Sequence, residues 1–172
     1  MDNKAKSGVE IERKYIIKMP DVLLLSGQNE YTKSEILQIY LPSQNGETHR
    51  IRYRKYQDRE EYTETRKIRI DEMSSEEIEG PISPERFSEL SANIREGSRP
   101  LKKVRHTFMY LENVFEIDIY PEWKNSAIME TELADRNQLV EIPSFIEILM
   151  EVTGNISYSN SAMSRKFPDE II

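Results

Sequence analysis

The chain has 172 residues, enough for one domain with a real core, and its formal net charge of −7 argues against a nucleic-acid or anionic-membrane partner. It has no cysteine, which excludes thiolate zinc sites, iron–sulfur ligation and thiol nucleophiles. No apolar run approaches the roughly 20 residues that span a bilayer, and the opening residues MDNKAKSG hold no signal-peptide apolar region, so a cytoplasmic protein with no membrane partner is expected.

A single domain over 1–172 is expected, with residues 1–8 polar and loose. Strand alternation starts at 9–18, where Glu10, Glu12 and Lys14 share one face while Val9, Ile11 and Tyr15 take the other. A short helix is expected after Pro20, then a strand over 35–41 carrying Tyr40. Strand 49–56 presents Arg50, Arg52 and Arg54, separated by Ile51 and Tyr53, and strand 60–70 presents Thr63, Thr65, Lys67 and Arg69. Gly46 and Asp58 mark turns. Strand 75–80 offers Glu77 and Glu79 around Ile78. Ser83 as N-cap and Pro84 at the first helical position begin a helix that Gly97 ends, with Phe87, Leu90 and Ile94 on one face. Strands 101–111 and 113–120, joined by a hairpin at Leu111 and Glu112, carry Lys103 with Arg105 and Glu116 with Asp118. Strand 127–134 carries Glu130 and Glu132, and further helical stretches are expected over 136–140, 144–150 and near 159–165. Many antiparallel strands with a few covering helices make an α+β class, and a closed barrel is one way to arrange them.

Polar alternation is what any half-buried antiparallel strand shows. Here, however, the charges are sorted by strand, with basic triplets on one and acidic pairs on another. Like charges two residues apart on one face repel, whereas a solubility surface intersperses signs. Sorting is accounted for if the charged sides face inward, with basic and acidic walls opposed. Arginine and lysine suit phosphate oxygens. Paired carboxylates without histidine favour hard cations such as Mg2+ or Mn2+, and His49 and His106 fall outside the inward register. The expected occupant is a metal–polyphosphate complex.

Glu10-Ile11-Glu12-Arg13-Lys14 resembles the ExExK signature of the CYTH, or triphosphate tunnel metalloenzyme, superfamily. Arg50-Ile51-Arg52 resembles its RxR strand, Thr65-Arg66-Lys67 its TxK strand, Glu77-Ile78-Glu79 its ExE pair, and Lys103-Val104-Arg105 its KxR strand. Glu116-Ile117-Asp118 resembles the strand ending in aspartate, Glu130-Thr131-Glu132 the late ExE strand, and Glu151-Val152-Thr153 and Tyr158-Ser159-Asn160 the EVT and YxN elements. Bacterial members commonly carry an arginine two residues before the ExE pair, where this chain has Ser75.

The resemblance implies an eight-stranded antiparallel closed β-barrel that binds a small-molecule triphosphate with Mg2+ or Mn2+ and hydrolyses it. In that reading Glu10, Glu12, Glu130 and Glu132 hold the metal, with Glu77, Glu79, Glu116 and Asp118 as outer or second-metal ligands. Lys14, Arg50, Arg52, Arg54, Lys67, Lys103 and Arg105 cradle the phosphates, and Tyr40 bonds a phosphate or Lys103. The catalytic set is Glu10, Glu12, Lys14, Lys103 and Tyr40. Inorganic tripolyphosphatase is the leading reading. A class IV adenylate cyclase-like enzyme, a thiamine triphosphatase and a non-catalytic polyphosphate or nucleotide sensor are the alternatives, and a homodimer is left open.

Overall fold

The computed structural model describes residues 6–172. Its strands are β1 (Lys6–Lys18), β2 (Asn29–Leu41), β3 (Glu47–Tyr56), β4 (Arg59–Arg69), β5 (Ser74–Pro81), β6 (Leu101–Tyr110), β7 (Asn113–Ile119), β8 (Ser126–Glu132) and β9 (Ile148–Glu151). Its helices are short: α1 (Val22–Ser26), α2 (Pro84–Ser91) and α3 (Asn160–Met163). Among the described residues no helix is long and apolar enough to cross a membrane. Of the segment 1–8 expected to be loose, residues 6–8 are paired strand, and residues 1–5 lie outside the described residues.

The sheet runs β5-β4-β3-β2-β6-β7-β8-β1-β9, and β5 also pairs with β1. This closes eight antiparallel strands into the expected barrel. Closure depends on the length of β1, whose Lys6–Ile11 half pairs with β5 while its Glu12–Lys18 half pairs with β8 on the opposite edge. Past Ile11, β5 turns away and one edge of β1 would expose unpaired backbone groups, which need partners. β9 supplies them by pairing with Tyr15, Ile16 and Ile17. The stretch 144–150, expected as helix, is therefore a loop leading into an edge strand. The helix expected over 136–140 is also absent, because side chains take the local amides. Gln138 Oε1 accepts from Ala134 N at 2.6 Å and Asp135 Oδ1 accepts from Asn137 N at 2.8 Å, a turn geometry that competes with helix.

Three apolar clusters follow from the alternation. Outside the barrel, Phe108, Phe115, Ile117, Met129, Tyr15 and Ile17 are covered by the loop bearing Ile142, Phe145 and Ile146. Ile39, Leu41 and Ile51 are covered by α2 and its exit turn through Phe87, Leu90 and Ile94, the face expected for that helix. The third cluster is inside: Ile16, Leu101, Tyr120 and Ile128 share the face of Lys14, Lys103, Asp118 and Glu130 and pack against Trp123, Val152 and Met163. The C-terminal segment thus plugs one end of the barrel with hydrocarbon and leaves the rest polar. It crosses the β4–β5 loop so closely that a Cβ on Gly154, which has φ +76°, would stand 2.9 Å from Glu72 Cβ, so glycine is needed there.

Candidate active site

The polar part of the barrel is a cavity of about 1140 Å³. Glu10, Glu12, Lys14, Tyr40, Arg50, Arg52, Arg54, Lys67, Glu77, Glu79, Arg105, Glu116, Glu130 and Glu132 all line it. The strand alternation thus places these side chains on one lining. Two expected residues do not reach the cavity. Lys103 and Asp118 are 3% and 0% exposed and bond each other at 2.6 Å behind the lining, with the Lys103 ammonium over the Tyr120 ring. Burial, followed by the nearby Arg105, lowers the Lys103 ammonium to about 8 against the pull of Asp118. Of the two bonds expected for Tyr40, to a phosphate or to Lys103, no Tyr40–Lys103 bond forms among the described residues, and Arg95 lies over the Tyr40 ring at 5.3 Å. His49 and His106 face outward, bonded to Glu64 and Tyr31.

Cations and carboxylates neutralise each other across the cavity. Lys14 Nζ lies 2.7 Å from Glu130, and Lys67 Nζ lies 3.2 Å from Glu10 and 3.4 Å from Glu77. Arg52 reaches Glu79 at 2.9 Å and Arg50 reaches Glu77 at 3.5 Å. Arg105 is held hardest. Its fork donates twice to Asp118 at 2.7 Å, contacts Glu116, and comes within 3.4 Å of Glu130. Burial opposes ionisation of Glu130, yet Lys14, Arg105 and Lys103 pull its carboxyl far below the ordinary range. Glu130 is thus paired with Lys14 and Arg105 in this structure.

Glu10 and Glu132 behave differently. Burial raises both, and crowding adds to it, Glu77 and Glu132 on Glu10, and Glu116, Glu12 and Glu77 on Glu132, with Lys67 opposing. Glu12 is directly across from Glu132 in the β1–β8 ladder, and Glu77 Oε2 is buried without a hydrogen-bond partner. Clustered, mutually repelling carboxylates fit a hard divalent cation. With the side chains in their ion pairs, no three carboxylates or imidazoles among the described residues converge on one coordination point. A cation would be held by Glu10, Glu12 and Glu132 once Glu10 leaves Lys67. A second cavity of about 360 Å³ shares Glu12, Glu116, Glu130 and Glu132, so the acidic wall is accessible from two sides.

Ser75 pairs with Glu10 on one side and Arg69 on the other. Arg69 lines the cavity, so a cation stands one strand away from the position Ser75 leaves uncharged. Sequence reasoning missed Gln38, Arg95, Arg165 and the Ser159–Ala162 stretch, which also line it. Gln38 was accessible to the same argument, lying two residues before Tyr40 on the inward face. Arg95 was not, because it enters from the turn after α2 and is fixed there by Ser98 and Ser161.

No protein-family model matches the chain by sequence, and no curated protein does. Solved structures do. The inorganic triphosphatase NE1496 is 25% identical, with a TM-score of 0.57 over 93% of this chain and 97% of that one. The PH1819 protein of Pyrococcus horikoshii is 22% identical, with a TM-score of 0.59 over 74% of this chain and 80% of the other. A putative adenylyl cyclase of Hippeastrum, described as having a dominant triphosphatase activity, is 18% identical, with a TM-score of 0.51 over 73% and 80%. The closed eight-stranded barrel, the order of its charged strands and the likeness to the inorganic triphosphatase are consistent with the CYTH, or triphosphate tunnel metalloenzyme, superfamily that the sequence motifs resemble.

Proposed function

We propose that this protein is a divalent-metal-dependent triphosphatase whose preferred substrate is inorganic tripolyphosphate, cleaved to pyrophosphate and phosphate. The observation that carries the reading is a cavity within the barrel in which an arginine- and lysine-bearing wall is neutralised by a carboxylate wall. A polyanion with its cation can replace both halves at once, the cations exchanging carboxylate for phosphoryl oxygens and the carboxylates exchanging ammonium for metal. Likeness to an inorganic triphosphatase over nearly the whole chain supports it.

Arg50, Arg52, Arg54, Lys67 and Arg105 would take the phosphoryl oxygens, arginine by its bidentate fork. Lys103 and Asp118, buried behind them, fix the orientation of Arg105. When bound at Glu10, Glu12 and Glu132, a Mg2+ or Mn2+ ion supplies charge neutralisation at the transferring phosphoryl group. A carboxylate of that wall accepts the proton of the attacking water. Among the described residues Tyr40 is the one aromatic side chain on the cavity lining, and Arg95 covers its ring. Trp123 is buried in the plug and donates to Pro168 O. Among the described residues the lining offers no uncovered ring to an adenine or a thiamine, which favours the inorganic substrate over the cyclase and thiamine triphosphatase readings.

The test is to incubate the protein with tripolyphosphate, ATP or thiamine triphosphate, each with Mg2+ or Mn2+, and identify products. Phosphate and pyrophosphate from tripolyphosphate, abolished by EDTA, is the expected result. Cyclic AMP from ATP would overturn it in favour of a cyclase, and no turnover of any of the three would favour a sensor.

A further inference from the structure

The inner faces of β2, β3, β4 and β5 form lateral rows, and the rows differ in how well they satisfy themselves. In one row Tyr40, Arg50, Thr65 and Glu79 lie side by side. The Thr65 hydroxyl donates to Glu79 at 2.8 Å and Arg50 lies within 3.7 Å of it, so the carboxylate answers both neighbours although Arg50 Nε itself is unpartnered. In the next row Gln38 and Thr63 flank Arg52, and the β5 place that would hold a matching carboxylate is Pro81. Proline brings no acceptor. Gln38 is 1% exposed and lines the cavity, yet its Oε1 has no partner, and neither has the buried Thr63 Oγ1. One step further along β3, Arg54 Nε is buried and unpartnered as well, and no carboxylate lies within ion-pair distance of Arg54 among the described residues.

Buried polar atoms are nearly always paired, so orphans gathered at one wall of a cavity indicate a ligand. Gln38 and Arg54 are on the lining, and Thr63 pairs across the strands with the lining residue Arg52 without being on the lining itself. We propose that Gln38, Thr63 and Arg54 form a subsite for one end phosphoryl group of the triphosphate, the group farthest from Glu79. Thr63 O–H, the Gln38 amide and Arg54 Nε–H donate to its non-bridging oxygens beside Arg52. The Gln38 carboxamide presents either its oxygen or its NH2 by half a turn about its last bond. Gln38 and Thr63 are thus substrate-binding residues, and Pro81 keeps the subsite open by withholding a carboxylate. This inference rests on the triphosphate reading of the cavity.

The test is calorimetric binding of tripolyphosphate in EDTA, where hydrolysis is stopped, together with the melting temperature of the free protein. Thr63→Val and Gln38→Met should each weaken binding about tenfold, the size of one hydrogen bond to a charged group. Neither should lower the melting temperature, because each removes a buried atom that is unsatisfied in the free protein. Thr63→Ser should restore affinity, and Ser126→Ala, which removes an orphan hydroxyl outside the cavity, should not change it. Variants that bind like the parent would overturn the subsite while leaving the triphosphate reading intact. So would variants whose melting temperature falls in step with affinity. A parent protein that shows neither binding of tripolyphosphate in EDTA nor a melting-temperature shift with tripolyphosphate and Mg2+ together would overturn both.

Discussion

Glu10 and Asp118 are both inward carboxylates, yet their surroundings assign them different tasks. Asp118 is fully buried and shares its oxygens between Lys103 and Arg105 at 2.6 to 2.7 Å. Removing one partner of a buried pair leaves uncompensated charge, so Asp118→Ala should cost about 3–5 kcal/mol of stability, read as a lower urea midpoint. Glu10 has a side chain 32% exposed and a single ammonium neighbour at 3.2 Å. Glu10→Ala should barely move that midpoint and should lower the hydrolysis rate at saturating metal at least about 100-fold, as for loss of one preorganised electrostatic element. Near-native turnover in Glu10→Ala would remove it from the metal wall. The alternation of β1 and β7 made both faces legible in the sequence. It said nothing of depth, because the groups that bury Asp118, Tyr120 and the C-terminal plug, are set by tertiary packing.

Strands were the readable elements of this chain, and the reason is their shared chemistry. Period two is clearest in β1, β7 and β8, which carry charge inward and mostly hydrocarbon outward, while β2 turns Gln38 and Tyr40 inward and β4 keeps Glu64 and Arg66 outward. β9 was missed because Phe145, Ile146, Leu149 and Met150 also fit one helical face, and only the vacated edge of β1 decides between the two. The opposed walls lead to a pH prediction. Glu10 and Glu132 have folded values above their ordinary 4.5. As pH falls from neutral they take up protons in the folded protein first, and stability rises. Glu130 and Glu79 have folded values below 4.5. Their stabilisation is present above that value and is lost as pH falls through it. A stability maximum is therefore expected in the mildly acidic range, readable by calorimetry across pH 3–8 (a span of about five units set by these carboxylates). Mg2+ competes with protons for Glu10 and Glu132, so adding it should flatten the rise between neutrality and the maximum. A profile unchanged by Mg2+ would contradict the assignment of those two residues to a cation.

At the scale of the whole molecule, the barrel interior is divided into a dry end and a charged end. Ile16, Leu101, Tyr120, Ile128 and Met163 fill the first like an ordinary core, so it needs no ligand. The charged end is stable only because its walls are paired, and those pairs must open before anything binds. Neither half of the natural occupant can do this well alone. A triphosphate without a cation takes Arg50, Arg52 and Lys67 from Glu77, Glu79 and Glu10 and leaves those carboxylates facing more negative charge. A cation without triphosphate takes Glu10 from Lys67 and leaves that ammonium beside added positive charge. The two ligands should therefore be coupled. Tripolyphosphate with Mg2+, at about 100 times the dissociation constant, should stabilise the fold by about 2.7 kcal/mol. For a domain of this length that raises the melting temperature by about 5–10 °C. Either ligand alone at the same concentration should raise it by clearly less than half as much. If sulfate at matched ionic strength reproduced the full shift, the gain would come from screening of the charged walls, and the paired-exchange account of the cavity would fail.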